Sequence, residues 1–497
     1  MGDATSQYLS AARRLEPLNV QLARDTYVRA LVAADLANDL ARRLTIVEVA
    51  PAARAESASR RPARPQDLLL DGLAVAHTDA RRLRRRYCGR RSAPFVTAQL
   101  PPDEAWWLGF SHIAASRSWD YRAFFTLAAR FLQAAWELGA LLMLPWALDS
   151  LAFVHVWAGD LATAASLLAE EKSVLEATGS GTAPYALAAL LAWRGHETEA
   201  KSAIAAAIDE ARARGHGGSI KVAHSAEATL CNSLGRYEKA LIAAENATSP
   251  PLHTSSYLAL RELVEAAARS ERPVLAAAAL ERLSESAQAS GTDWALGVEA
   301  RCRALLSTGV AAEALYREAI ERLDRSPVRP EAARAHLLYG EWLRSENRRV
   351  DARQELRTAH DTLSAMGAHW FAERARRELV ATGETVRKRT VETAAELTDQ
   401  EACIARLVTE GLTNVEIGAQ LFISPRTVEW HLGKVFTKRG IGSRRELRSL
   451  LQKHRDVMSR RQQSPQRYLS RALNASRTQC GQSGIQNSVG RSAPCPA

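Results

Sequence analysis

Through most of the chain, apolar residues recur at three- and four-residue intervals among Ala, Glu and Arg, the spacing of amphipathic helices. The β-branched runs expected of strands are scarce, so the pattern predicts an all-α protein. A longer period is superimposed on the helical one. A turn-like residue is followed five positions later by alanine at Gly159/Ala164, Gly195/Ala200, Gly235/Ala240, Glu271/Ala276, Gly309/Ala314 and Asn347/Ala352. These alanines lie 36, 40, 36, 38 and 38 residues apart, the period of a helix-turn-helix hairpin. In each hairpin the Gly or Asn would leave one helix in a left-handed conformation, and the small alanine would let the next helix pack closely.

The pattern breaks at a few places. Residues 51–67 (PAARAESASRRPARPQD) hold three prolines and no apolar period, which reads as a linker after an amino-terminal helical segment at 1–50. A second polar linker, 384–394, separates the hairpin region at 68–383 from a module at 395–455. Residues 456–497 form a basic tail of Ser, Gln, Asn, Arg and Gly that reads as disordered. The clearest hairpin half is LGRYEKALIAAENA, where Gly235, Tyr237, Ala240 and Ala247 resemble the second half of a tetratricopeptide repeat and Pro250 and Pro251 close the helix. The expected fold is therefore a tetratricopeptide-like helical-repeat solenoid followed by a small four-helix domain. Such a solenoid leaves a concave surface that commonly holds a peptide, a protein or a small ligand. Trp106, Trp107, Trp119, Trp136, Trp146 and Trp157 crowd one third of this region, as inter-repeat packing more readily than as a ligand pocket.

Composition narrows the function. No run approaches the roughly 18 apolar residues of a membrane span, and Met1–Ser10 lacks the layout of a signal peptide, so the cytoplasm is expected. Cys88, Cys231, Cys302, Cys403, Cys480 and Cys495 form no CxxC pair and have no histidine at metal-ligand spacing. Neither a disulfide framework nor a metal site is expected, and Cys231, Cys302 and Cys403 read as small buried apolar residues. There is no GxxxxGK[ST], GxSxG or HExxH, and no GxGxxG after a strand; Glu170 and Glu171 read as a pair on an exposed helix face. No enzyme and no cofactor are indicated. The net charge of +11 is lopsided: residues 1–386 hold 47 Lys+Arg against 46 Asp+Glu, and 387–497 hold 19 against 9. A basic end on a neutral body points to a polyanion, most often nucleic acid. The run Arg81–Arg86 with Arg90 and Arg91 reads as a solvated helix face or a nucleic-acid contact.

The segment from Leu397, LTDQEACIARLVTEGLTNVEIGAQLFISPRTVEWHLGKVFTKRGIGSRRELRSLL, carries four helix-start signals. Thr398/Glu401, Thr413/Glu416 and Ser443/Glu446 are capping boxes, and Ser424 precedes Pro425 as a serine cap with proline at the first helical position. Helices Asn414–Leu421 and Pro425 to about Lys438 are joined by a three-residue turn, as in a helix-turn-helix pair. On the latter, Val428, His431, Leu432, Val435 and Phe436 form an inward stripe. Arg426, Thr427, Glu429, Trp430, Gly433, Lys434, Thr437 and Lys438 form the opposite, net positive stripe, suited to a DNA major groove.

These residues resemble the LuxR-type helix-turn-helix, with its pattern G-L-T-N-x-E-I-G, I-S-x-x-T-V-x-x-H-L and S-R-x-E-L. The resemblance implies that Glu401 and Gly411 shape the first helix and its exit, that Ile417 and Leu421 pack the second, and that His431 is structural. It also implies that Thr427 and Lys434 meet phosphates, Glu429 and Trp430 approach bases, and Lys438 anchors the backbone. Thr413, Asn414, Ser424, Arg426, Thr437 and Arg444 complete the expected DNA-binding set. Arg439 stands where the family places a buried leucine, and Gly433 where it places a long polar residue. Segments such as LLAWRGHETEAKSAI and FAERARRELVATGE are similar to the carboxyl half of the large ATP-binding LuxR-type regulators of actinobacteria; the ATPase itself is absent, which suggests a truncated or shortened member. The expectation is a cytoplasmic transcriptional regulator binding double-stranded promoter DNA as a homodimer, with a protein or small-molecule effector on the repeat body. The alternative is a protein-binding scaffold whose DNA module is weakened, on the strength of Arg439 and Gly433.

Overall fold

The computed structural model describes residues 4–41, 44–55, 64–78, 106–179, 185–250 and 256–384. Between 405 and 447 it describes residues 405, 407–408, 411–421, 426, 428–429, 432–433, 435–436 and 441–447. Every regular element among the described residues is helical, and the chain divides into two compact units, 1–385 and 386–497.

The first unit opens with α1 (Ala4–Leu15), α2 (Val20–Ala37), α3 (Ile46–Ala55) and α4 (Pro65–Thr78). Asn19 caps α2, its Oδ1 accepting from the Leu22 amide at 3.0 Å, and Thr45 with Glu48 forms a capping box ahead of α3. The stretch 51–67, read from its prolines as a linker, carries helix at both ends. α3 continues through Pro51 because Ile46, Val49, Ala50 and Ala53 bury one face against α2 and α4, and this packing outweighs the amide bond that proline forgoes. These helices seat on the hairpin region. Lys221 reaches Asp39 at 3.1 Å and donates to the Ser249 carbonyl at 2.7 Å, and a Cβ on Gly217 would fall 2.4 Å from the Ala37 carbonyl oxygen.

A row of antiparallel hairpins follows: α5/α6 (Trp106–Arg117, Tyr121–Glu137), α7/α8 (Leu144–Ala158, Leu161–Thr178), α9/α10 (Tyr185–Arg194, Glu197–Arg214) and α11/α12 (Gly217–Ser233, Tyr237–Thr248). It continues with α13/α14 (Ser256–Arg269, Pro273–Ser290), α15/α16 (Asp293–Leu305, Gly309–Asp324) and α17/α18 (Arg329–Ser345, Arg349–Met366), then α19 (His369–Ala381). All six predicted turn residues have positive φ, from 55° at Glu271 to 78° at Gly159 and Gly195. Ala164, Ala200, Ala240, Ala276 and Ala352 are fully buried, each the fourth residue of its helix. The α15/α16 hairpin corrects the register: Ala314 is exposed and Ala312 is buried, because α16 starts at Gly309 itself and its fourth residue is Ala312.

Positive φ alone does not demand glycine, since Glu271 and Asn347 adopt it. Gly159 and Gly195 meet a second requirement. A Cβ on Gly159 would lie 2.4 Å from the Met366 sulfur, and one on Gly195 would lie 2.3 Å from Cδ1 of Trp370. The row of hairpins therefore curls until early members touch late ones. Along the same seam the Trp119 indole N–H donates to Ser286 Oγ at 3.0 Å, Trp119 packs edge-on to Trp294 at 5.0 Å, Arg329 Nε donates to the Ala158 carbonyl at 3.3 Å, and Trp193 lies 5.1 Å from Phe371.

Curling fills the inner face that the repeat pattern left for a ligand. Glu262 of α13 accepts from Thr229 and Asn232 of α11 at 3.1 and 2.8 Å and from Arg334 of α17 at 2.6 and 2.9 Å. Glu265 is shared by Arg334 and Arg374, Glu341 by Arg374 and Arg269, and Glu331 by Arg261 and Arg301. Burial works against ionising Glu331, but Arg261, Arg301 and Arg334 together pull its carboxyl down to about 2. Cys302 lies buried near these charges, and burial pushes its thiol up to about 12; Cys231 is likewise a buried free thiol.

Two further expectations meet the structure here. Glu170 is exposed, but Glu171 is buried near Asp149. Burial, and then the Glu171 charge, raise the Asp149 carboxyl well above its usual range, although Asp149 Oδ1 accepts from the Ala186 amide at 3.1 Å. Of the six clustered tryptophans, Trp107, Trp119 and Trp157 are buried, Trp106 stacks on Trp107 at 3.9 Å, Trp146 meets Phe131 edge-on, and only Trp136 is largely exposed. Trp157 borders a void of about 30 Å³, enough for a water or two. A more open cleft of about 500 Å³ lies on the seam, lined by Asp160, Arg329, Asp361 and Met366 among others.

Candidate nucleic-acid interface

The second unit is built on a small apolar core of Ala405, Leu407, Val408, Ile417, Val428, Leu432, Val435 and Leu447, flanked by Leu412, Phe436 and Ile441. The first helical stretch ends at Gly411, whose φ of 101° lets the Leu412 amide turn back to the Leu407 carbonyl at 3.2 Å. Next comes α20 (Asn414–Leu421), which starts in a formed capping box. The Thr413 amide and hydroxyl both donate to Glu416 Oε2, at 2.7 and 2.8 Å, and the Glu416 amide donates to Thr413 Oγ1 at 3.3 Å. The backbone bond from Thr413, and then its hydroxyl, hold the Glu416 carboxyl below the usual range.

The later box is also formed, shifted by one amide. Glu446 accepts from the Gly442 amide and the Ser443 hydroxyl, both at 2.9 Å, while its own amide donates to Ser443 Oγ at 3.3 Å. Arg444 donates to Asn414 Oδ1 at 2.8 Å and so ties the start of this stretch to the start of α20.

Between them lies the helix expected to read DNA. Arg426, Val428, Glu429, Leu432, Gly433, Val435 and Phe436 are helical, and the Ile441 amide closes on the Phe436 carbonyl at 3.0 Å. Val428, Leu432 and Val435, at i, i+4 and i+7, are buried in the core. Arg426, Glu429 and Gly433 are exposed on the other side, and a Cβ on Gly433 would meet no atom within 4 Å.

Of the expected DNA-binding set, then, Arg426 and Glu429 are presented outward, Thr413 is engaged in a cap, and Asn414 and Arg444 are engaged with each other. Side-chain amide and guanidinium groups thirty residues apart carry no local signal that would have paired them. Ser424, Thr427, Trp430, Lys434, Thr437 and Lys438 lie outside the described residues, as do Glu401, His431, Arg439, Cys403, the Thr398 box and the arginine run at 81–91. Ile417 is buried as expected; Leu421 closes α20, and its side chain is outside the described set.

The charge is distributed more narrowly than a basic module suggests. Residues 395–451 hold eight Lys+Arg against seven Asp+Glu, whereas 452–497 hold eight against one. The helix through Arg426 and Glu429 therefore sits in a nearly neutral domain with its positive excess in the flanking sequence. Among the described residues, no helix is long and apolar enough to cross a membrane and no group of three or more His, Cys, Asp or Glu is placed to hold a metal ion.

A family model described as bacterial regulatory proteins, luxR family, matches residues 395–451. Two curated relatives, provisionally named HTH-type transcriptional regulators, are Mb0914c of Mycobacterium bovis and Rv0890c of Mycobacterium tuberculosis. Each is 46% identical over 65 residues, a segment that is 13% of this chain and 7% of the relative. The similarity thus concerns one domain and a small part of each relative's length.

Proposed function

We propose that this chain, which carries a LuxR-family helix-turn-helix domain at residues 395–451, is a transcriptional regulator that binds promoter DNA by sequence, with a body of tetratricopeptide-like hairpins as its sensor. One observation carries the proposal. The helix through Arg426 and Glu429 buries Val428, Leu432 and Val435 in its own core and exposes Arg426 and Glu429 on the opposite side, the side a duplex groove would take. By the family resemblance Glu429 and Trp430 approach base edges, Thr427 and Lys434 meet phosphates and Lys438 anchors the backbone, with Arg426 and Thr437 completing the same surface. Thr413, Asn414, Ser424 and Arg444 border this surface, and the bridge from Arg444 to Asn414 sets the start of α20 against the strand backbone.

A domain of nearly balanced charge offers few phosphate contacts by itself. The protein therefore acts as a homodimer in the cytoplasm, with two such helices one turn of DNA apart, about 34 Å, and the basic residues after 452 add affinity without sequence preference. An effector, protein or small molecule, acts on the repeat body. The test is selection of duplexes from a random library by the full chain, followed by binding measured between 50 and 200 mM salt. Enrichment of one two-fold-related motif, bound less tightly as salt rises, supports the proposal; binding that does not distinguish sequences refutes it.

A further inference from the structure

Among the described residues, the hairpins of the body pack most extensively on their sequence neighbours, and early and late hairpins meet at a seam of separate contacts. Met366 and Trp370 occupy the spaces that Gly159 and Gly195 leave open, Phe371 lies against Trp193, His369 stacks on His196 at 5.9 Å, and Arg329 reaches the Ala158 carbonyl. Among the described residues, no stretch of chain crosses this seam except by the long way round the row of hairpins.

Within the seam one buried side chain spans the most elements. Arg374 of α19 donates to Glu265 of α13 at 2.7 Å, to Glu341 of α17 at 2.6 and 2.8 Å, and to the Asn232 carbonyl of α11 at 3.2 Å. Its partners do not depend on it alone. Glu265 also holds Arg334 at 2.6 Å, and Glu341 also holds Arg269. If Arg374 withdraws with its helix, each carboxylate keeps a guanidinium, so the penalty of an unpaired buried charge is avoided on the side left behind. By contrast, withdrawing Arg334 would strip Glu262 of its bidentate partner in the middle of the row.

We infer that Arg374 is a clasp: the body is held closed by the docking of α19 on the third and fourth hairpins, and it opens along this seam as folded halves, uncovering the axial Arg/Glu chain. The last helix before the connection to the DNA-binding domain is then the moving part, and an effector that favours the open body acts by displacing it.

Cys302, buried near Arg334 and Glu265, is a native thiol that reports on the axis without an introduced residue. In the full chain, maleimide labelling of Cys302 is followed by peptide mass spectrometry, with far-ultraviolet circular dichroism as the check on folding. Arg374→Met is expected to speed labelling at least tenfold with unchanged helicity. Gly195→Ala, which drives a Cβ into Trp370, is expected to do the same. Gly235→Ala has a similar backbone φ of 71° but meets only the Tyr237 hydroxyl at 4.0 Å, and is expected to change labelling less than threefold. Should Arg374→Met unfold the chain, the two glycine variants decide. Equal labelling in both glycine variants, or no acceleration in Gly195→Ala, overturns the clasp.

Discussion

The two units of this protein use charge in opposite ways. The body draws arginines and glutamates inward and pairs them along its axis, where Glu262, Glu265, Glu331, Arg301 and Arg334 are almost wholly inaccessible. The DNA-binding domain keeps its interior apolar and leaves Arg426 and Glu429 outside, on the face opposite its core. A buried pair contributes little net stability over an apolar substitute, but it penalises every arrangement that separates the partners, so it fixes how distant helices meet. An exposed charge fixes nothing in the fold and remains available to a polyanion. The contrast suggests that the body is built to hold one closed geometry and the domain to offer a surface.

The largest expected effect tests the buried side. Glu262→Ala leaves Arg334, Asn232 and Thr229 without their shared acceptor and should cost about 3–5 kcal/mol in chemical denaturation, whereas Glu429→Ala should cost less than about 0.5 kcal/mol. Similar costs for the two would erase the distinction. Leu432→Ala opens a cavity in the small core and should cost the domain about 2–5 kcal/mol, abolishing DNA binding while the transition of the body stays in place. A joint loss of both transitions would show that the units do not melt separately.

Thr413→Ala removes the capping box of α20 and should cost about 1 kcal/mol, seen as a lower melting temperature of the domain. The smallest effect concerns Asp149, which is buried beside a second acid, Glu171. Asp149 holds its proton more tightly folded than unfolded, so stability is drawn down as pH rises above the usual aspartate range near 3.8. Asp149→Asn should therefore raise the melting temperature at pH 7 by about 1–3 °C, and the gain should shrink toward pH 4. The axial glutamates have the opposite sign: their carboxyls are lowered, so their contribution is present above about 4.5 and lost as pH falls from there.

Local features of both units were legible in the sequence because they arise within a turn or two of helix. The turn residues Gly159, Gly195, Gly235, Glu271, Gly309 and Asn347 adopt positive φ, and the boxes at Thr413 and Ser443 are formed. The Val428/Leu432/Val435 stripe faces inward as its spacing requires. What escaped depends on residues far apart. In SYLALRELVEAAAR the polar positions Arg261, Glu262 and Glu265 have the spacing of a solvated face, and only partners at 331, 334 and 374 make them interior. Glu171 was misread for the same reason. The Ala314 error was local: the register was anchored on Gly309, although the buried alanine is counted from the helix start.

The most direct test of the central claim is binding of the full chain to its selected duplex and to an unrelated duplex, measured by fluorescence anisotropy at fixed salt, with Arg426→Ala/Glu429→Ala beside the parent protein. The ratio of the two affinities should fall at least tenfold in the variant while its melting temperature is unchanged. An unaltered ratio would contradict the assignment of this face to DNA.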